Sequence, residues 1–359
     1  MTTYTAELDV EGRRVLLVGE GASLVGEATG LLAAGARLTI AAPAVPATVE
    51  DLASRGLLIW TGAGWGIPDL DTADLVVATT SDPALDAACR TARVWLVHRR
   101  TASPRRRNGA GRVTLVGGGP GDPGLLTVAG RDALAAADVV VCDRLAPVSA
   151  LAGLDVEVVD VAKVPRGRST SQEAINALLV ERARSGQHVV RLKGGDGYVF
   201  GRGGEEAIAC AAASVEVVVV PGVSSAIAGP ALGGIPLTHR GLSQGFSVVS
   251  GHVAPDDPAS TVDYGALARS GTTLVLLMAV ATLPAILEAL RDAGLPPTTP
   301  AATVADAGLP SQRVVRSTVA HLAETVQANG LGAPAITVVG EVAGLEPLGV
   351  RPQAHETPA

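Results

Sequence analysis

The chain has 359 residues, enough for two or three domains that each bury a core. Hydrophobic residues make up 47% and charged residues 18%, which excludes a disordered chain, and aromatics at 2% leave little for base stacking. A net charge of −7 and a pI of about 5.4 give no global attraction to nucleic acid or anionic membranes.

The opening MTTYTAELDVEGRR has no apolar core of a signal peptide. Two long uncharged runs, Val217–Thr238 and Gly271–Leu287, are interrupted by proline, so buried strands running into loops and helices explain them better than membrane spans. Cys89, Cys142 and Cys210 lie far apart with no CxxC. A soluble protein of a reducing cytoplasm is expected.

Apolar runs alternate with helical patterns along the whole chain, which predicts α/β architecture with largely parallel sheets. In the first stretch, strand Val15–Val18 leads through a glycine turn into a helix to Ala34, and strands Arg37–Ile40, Leu75–Ala78 and Val94–Val97 follow. Gly19-Glu20-Gly21 is where a dinucleotide pyrophosphate would sit on backbone N–H groups. Leu24, however, stands at the third glycine position of G-x-G-x-x-G, and Gly26 comes two residues late. No acidic residue ends the second strand, where Ile40 runs into Ala41, Ala42 and Pro43, so the ribose contact is missing. The segment Thr101–Gly111, with Arg105–Arg107, reads as a linker.

From Arg112 the pattern becomes denser. Strands are expected at Val139–Val141, Val156–Val161, Val189–Leu192 and Val215–Val220, with a helix over Ser171–Ser185. Thr170 and Glu173 have capping-box spacing at its start. After Pro236, further strands are expected near Phe246–Ser250, Leu274–Met278, Ala301–Ala305 and Ile336–Val339. Four unusual segments each follow directly on a strand: Gly117–Gly124 (GGGPGDPG), Asp143-Arg144-Leu145, Lys193–Glu206 (KGGDGYVFGRGGEE) and Pro221–Ala226 (PGVSSA). Ligands of open α/β sheets bind beyond the carboxyl ends of the strands, so these segments predict one shared cleft. Asp143 and Lys163 each follow a strand, and Arg144, Arg166, Arg168, Arg191, Lys193, Arg202 and Arg240 lie on or beside the loops. That gathering of cations in a net-negative chain suits a polycarboxylate ligand.

Several chemistries are unsupported. There is no Walker A string, no HExxH and no G-x-S-x-G, and His239 and His252 lack metal-ligand spacing. Cys142 and Cys210 have no activating neighbours in sequence.

The strings VTLVGGGPGDPGLLTV, ADVVVCDRL, VRLKGGDGYVFGRGGEE, VVPGVSSAIAGPALGGIPLTHR, VVSGH and SQRVV occur in that order. Together they resemble the tetrapyrrole methylase family over about Arg112–Gly344, and the N-terminal stretch resembles the NAD-binding part of siroheme-synthase modules. The resemblance implies a Rossmann-like unit followed by a two-lobed α/β tetrapyrrole methylase domain. It places the N-terminal unit at residues 1–103, a linker at 104–111, the methylase at 112–346 (lobes about 112–235 and 236–346) and a tail at 347–359.

It also implies a homodimer that binds S-adenosyl-L-methionine between the lobes. Matching motifs put the cofactor contacts at Pro120, Gly194, Gly195, Asp196, Val199, Ser224, Ser225, Met278 and Ala307. Asp143 matches the family's proton acceptor and Lys163 its donor; Arg144, Arg166, Arg202 and Arg240 are the candidate substrate contacts. The implied reaction moves two methyl groups in turn onto uroporphyrinogen III, giving precorrin-2 for siroheme or cobalamin biosynthesis. Gly197 stands where the family has proline, and Ala279 and Ala307 where it has glycine. In the N-terminal stretch, the acid linked to dehydrogenase and chelatase steps aligns near Arg100, and the dimerisation segment of such modules does not follow. An NAD-dependent oxidoreductase and a methylase of a later corrinoid remain the alternatives.

Overall fold

Val15 to Val18 form an unbroken apolar run, the pattern of a parallel strand covered on both faces. The computed structural model describes residues 8–21, 23–99, 111–152, 154, 156–161 and 170–345. The run lies in β1 (Arg14–Val18), followed by α1 (Ser23–Ala33), β2 (Arg37–Ala41), α2 (Ala47–Ser54), β3 (Ile59–Trp60), α3 (Ile67–Thr72), β4 (Leu75–Ala78), α4 (Pro83–Ala92) and β5 (Trp95–His98). The five strands pair in the order β3-β2-β1-β4-β5, all parallel. That is a Rossmann-type order, with the topological switch point between β1 and β4. Leu16, Val76 and Leu85 lie at its core with Leu70 and Cys89.

Next come β6 (Arg112–Gly117), α5 (Val128–Ala135), β7 (Val139–Cys142), β8 (Glu157–Asp160), α6 (Gln172–Arg184), β9 (His188–Lys193), α7 (Gly203–Ala212), β10 (Glu216–Val220) and α8 (Ser225–Leu232). Here the order is β10-β6-β9-β7-β8, again all parallel. Val113, Val139, Val141 and Val189 pack against Ile175, Leu179 and Ala183 of α6. The cap of α6 is Ser171, whose Oγ accepts from the Ala174 N–H at 3.2 Å. The expected Thr170–Glu173 box is thus replaced by a hydroxyl one residue later; both residues bear an N-cap hydroxyl, so spacing alone could not choose between them.

The remaining elements are β11 (Phe246–Ser250), α9 (Tyr264–Ala268), β12 (Thr273–Leu277), α10 (Leu283–Asp292), β13 (Pro300–Ala305), β14 (Arg313–Thr318), α11 (Leu322–Ala328) and β15 (Ala335–Val339). This third sheet, ordered β11-β12-β15-β13-β14, is mixed, whereas the first two are parallel as expected. Only β11–β12 is parallel, and β12–β15, β13–β15 and β13–β14 are antiparallel. β3 and β14 are additions to the strands read from sequence: β3 has two residues, and β14 is partly exposed with no apolar run.

The chain divides into two compact units. One comprises Met1–Gly117, Thr127–Tyr198 and Arg202–Pro221 and holds the first two sheets; the other comprises Gly118–Leu126, Val199–Gly201 and Gly222–Ala359 and holds the third. Among the described residues no helix is long and apolar enough to cross a membrane. The run Val217–Thr238 contains most of β10 and all of α8, and Gly271–Leu287 contains β12 and the start of α10.

Candidate functional site

β6, β7, β9 and β10 end at Gly117, Cys142, Lys193 and Val220, and because they run parallel these ends share one edge of the second sheet. The four segments expected to carry chemistry start there. Asp143 follows β7 directly. Its Oδ2 accepts from Arg191 at 3.1 Å and its Oδ1 from the Leu145 N–H at 3.2 Å. The carboxylate is therefore fixed from two sides while its side chain stays 28% exposed.

Arg191 and Lys193 are not rim cations. Both are buried and share the fully buried Glu206 of α7, with Arg191 Nε and Lys193 Nζ each 3.0 Å from Glu206 Oε1. Gln172 Nε2 adds a hydrogen bond at 3.3 Å, and Arg191 also donates to the Val141 and Leu192 carbonyls. Arg191, Lys193, Asp143 and Glu206 make a balanced set of two cations and two carboxylates, which lowers the cost of burial. Burial disfavours the Arg191 charge, but Asp143 and Glu206 outweigh it and hold its pKa above the ordinary value. Burial, reinforced by Arg191, pulls Lys193 below the usual lysine range. The parity of β9 turns Arg191 and Lys193 to the same face, towards α7, and from there Arg191 still reaches Asp143. Burial also pushes the Cys142 and Cys210 thiols up, which keeps both from acting as thiolates.

A Cβ on Gly194 would lie 2.5 Å from the Leu145 carbonyl oxygen, so the Asp143–Leu145 loop and the GGD loop touch through a position only glycine fills. Gly195 adopts φ +64°, and Asp196 Oδ1 accepts from the Tyr198 N–H at 2.8 Å. Arg202, at φ +60°, pairs with Glu205 at 2.7 Å on the surface. Arg144 pairs with Asp51 at 3.3 Å. Lys163 and Arg166 lie outside the described residues.

In the second unit Pro120 sits between Gly119 at φ +80° and Gly121 at φ +146°. A Cβ on Gly121 would stand 3.4 Å from the Ala307 carbonyl oxygen, and one on Gly308 3.1 Å from the Asp122 nitrogen. The turns carrying Pro120 and Ala307 are therefore neighbours. Met278, just after β12, and Asp306, beside Ala307, are non-glycine residues held at φ +56° and +52°. Such conformations are costly and gather at functional sites. Ser224 caps α8 through the Ala226 N–H at 3.3 Å, and Ser225 opens that helix. Val199 and Arg240 are exposed. These slim turns fit a polar small molecule that backbone groups approach closely, as the S-adenosyl-L-methionine assignment requires.

At the first sheet's switch point the residues fit NAD only in part. A Cβ on Gly19 would collide with Thr79 Oγ1, and Gly21 has φ +63° with open space around it, which suits a thin pyrophosphate turn. Leu24 is fully buried in the core, and the end of β2 offers Ala41 and the buried Ala42, whose carbonyl accepts from Trp60 Nε1 at 2.8 Å. No carboxylate stands there for a ribose, so the residues do not complete an NAD site and no hydride step is derived.

A family model for tetrapyrrole (corrin/porphyrin) methylases matches residues 112–323, and one for NAD(P)-binding units matches residues 7–100. A Methanosarcina barkeri protein named S-adenosyl-L-methionine-dependent uroporphyrinogen III methyltransferase is 44% identical over 66% of this chain and 93% of its own length. A Neisseria meningitidis siroheme synthase is 44% identical over 67% of this chain, but the match spans only 50% of that protein. A solved uroporphyrin-III C-methyltransferase of Thermus thermophilus, complexed with S-adenyl homocysteine, superposes with a TM-score of 0.55 at 41% identity, covering 65% of this chain and 99% of that one. The model matches well over half of the residues, and the chain belongs to the tetrapyrrole methylases.

Proposed function

We propose that this protein is an S-adenosyl-L-methionine-dependent C-methyltransferase that converts uroporphyrinogen III to precorrin-2 by two successive methylations. The observation that carries the reading is Asp143, a partly exposed carboxylate locked by Arg191 and the Leu145 N–H at the carboxyl edge of a parallel sheet, in a member of this family. The names of the relatives that match the methylase region support the substrate.

Pro120, Gly194, Gly195, Asp196, Val199, Ser224, Ser225, Met278 and Ala307 would hold the cofactor. When bound, S-adenosyl-L-methionine supplies an electrophilic methyl on a sulfonium, so the protein needs no nucleophile of its own. The chain's task is alignment, which is worth about 7–11 kcal/mol in favourable cases. The methylated carbon becomes quaternary, so the cation is neutralised by loss of a proton from elsewhere on the macrocycle as a double bond relocates, and Asp143 is the base positioned to take that proton. Arg191 orients that carboxylate through its paired guanidinium. Lys163 is assigned as the acid that returns a proton, and Arg144, Arg166, Arg202 and Arg240 as contacts for the substrate's carboxylates. A cytoplasmic homodimer completes the proposal; the exposed Val218 and Val219 of edge strand β10 and Ile208 of α7 support a paired surface.

The test is anaerobic incubation with uroporphyrinogen III and S-adenosyl-L-methionine, read by absorbance and mass, with a doubly methylated product expected. A second reading, a bifunctional protein whose first sheet oxidises precorrin-2 with NAD⁺, is favoured by the match over residues 7–100 and opposed by the missing ribose carboxylate. Adding NAD⁺ to the same incubation separates the two.

A further inference from the structure

We propose that Asp51, on α2 of the first sheet's layer, is a positioning residue for the methylase. It acts through Arg144 and holds the Asp143-Arg144-Leu145 loop in place.

Arg144 NH1 lies 3.3 and 3.4 Å from the two Asp51 oxygens, and the side chains are only 19% and 13% exposed. Arg55, the residue that caps the end of α2, reaches Asp51 Oδ2 at 3.4 Å. Largely shielded from water, the pair is screened less than a surface ion pair.

Two more contacts join the same layers. The Thr48 N–H at the start of α2 donates to Asp160 Oδ2, at the end of β8, at 3.1 Å. Helix α1 packs on the 3₁₀ turn Val148–Leu151: a Cβ on Gly26 would stand 3.9 Å from Leu151 Cβ, and one on Gly30 2.8 Å from Ala152 Cβ. The glycine that arrives too late for the dinucleotide fingerprint thus belongs, one helical turn before Gly30, to a face that docks against the second sheet's layer. The first layer grips the stretch from Arg144 to Asp160 at three points.

That stretch begins at the residue after Asp143. Asp143 Oδ1 accepts from the Leu145 N–H, so the carboxylate is tied to the loop that Asp51 anchors, while Oδ2 is tied to Arg191. Loss of the Asp51 charge frees Arg144, lets the loop move and disturbs the carboxylate from one side only. Among the described residues Asp51 makes no hydrogen bond to the GGD loop after β9, which meets the anchored loop at Gly194 against Leu145. The anchoring stands on these contacts alone; its effect on turnover rests on the reading of Asp143 as the proton acceptor.

The test compares full-length wild type with Asp51→Asn and Asp51→Glu by hydrogen exchange and steady-state kinetics. In Asp51→Asn, amides 144–152 should exchange about tenfold faster while those of β9 stay unchanged, as a local opening equilibrium requires. Turnover with uroporphyrinogen III should fall several-fold with the KM for S-adenosyl-L-methionine unchanged, and Asp51→Glu should restore both readouts. Unchanged exchange over 144–152 overturns the anchoring. Faster exchange with unchanged turnover overturns the positioning role. A wild type without methylase activity would overturn the proposed function instead, and the exchange result would still decide the anchoring.

Discussion

Asp143 and Glu206 are both carboxylates of one ionic set, yet substitution should separate them. Asp143→Ala should lower kcat by about 10²–10⁴-fold, the usual scale of a lost general base, with the cofactor's Kd unchanged by calorimetry. Glu206→Gln leaves Arg191 and Lys193 buried with one carboxylate fewer and should cost about 3–5 kcal/mol in denaturant unfolding. A Glu206→Gln protein as stable as wild type would show that the set is not integral to the fold. Asp143 was legible in sequence because it follows an apolar strand directly. The burial of Arg191 and Lys193 was not: their spacing puts both on one face of β9, but only the packed α7 shows that this face meets Glu206 and not solvent.

At the scale of elements, the glycine loops were legible and their partners were not. Gly194→Ala places a Cβ against the Leu145 carbonyl, so the loop must shift, at about 1–3 kcal/mol of stability. The shift should also reduce turnover more than Gly204→Ala, whose site has open space, and equal kinetics for the two variants would contradict the contact between the loops. In the first sheet, the Arg14 backbone N–H and guanidinium both donate to Asp74, joining the ends of β1 and β4. The Arg14 side chain, then its backbone N–H, hold the Asp74 carboxyl at about 2, below its ordinary value of 3.8. The folded value is depressed, so this contribution is fully present above the unfolded value and is lost as pH falls from 3.8 towards about 2. The stability difference between wild type and Asp74→Asn should shrink across that window, and a constant difference would contradict the pairing. Strand boundaries in sequence were accurate to a residue or two where apolar runs were long, as at β1 and β9. β14 escaped because a partly exposed strand carries no such run, and β3 because two residues form no pattern.

For the whole molecule, the alternation of strands and helices specified two parallel sheets correctly. The mixed directions of the third sheet were not legible, because β12, β13 and β15 are buried apolar strands whose sequences read alike whether their neighbours run parallel or antiparallel. The first sheet's layer keeps a Rossmann strand order without the ribose carboxylate, and its helices α1 and α2 face the loop beside Asp143. NAD⁺ should therefore neither bind measurably in titration nor alter the product, and tight binding would return the bifunctional reading. The most direct measurement is the mass and absorbance of the product formed from uroporphyrinogen III and S-adenosyl-L-methionine by the purified chain. A macrocycle carrying two new methyl groups, formed by wild type and nearly abolished in Asp143→Ala, is the expected result. An unmodified macrocycle, or equal methylation by the two proteins, would contradict the account.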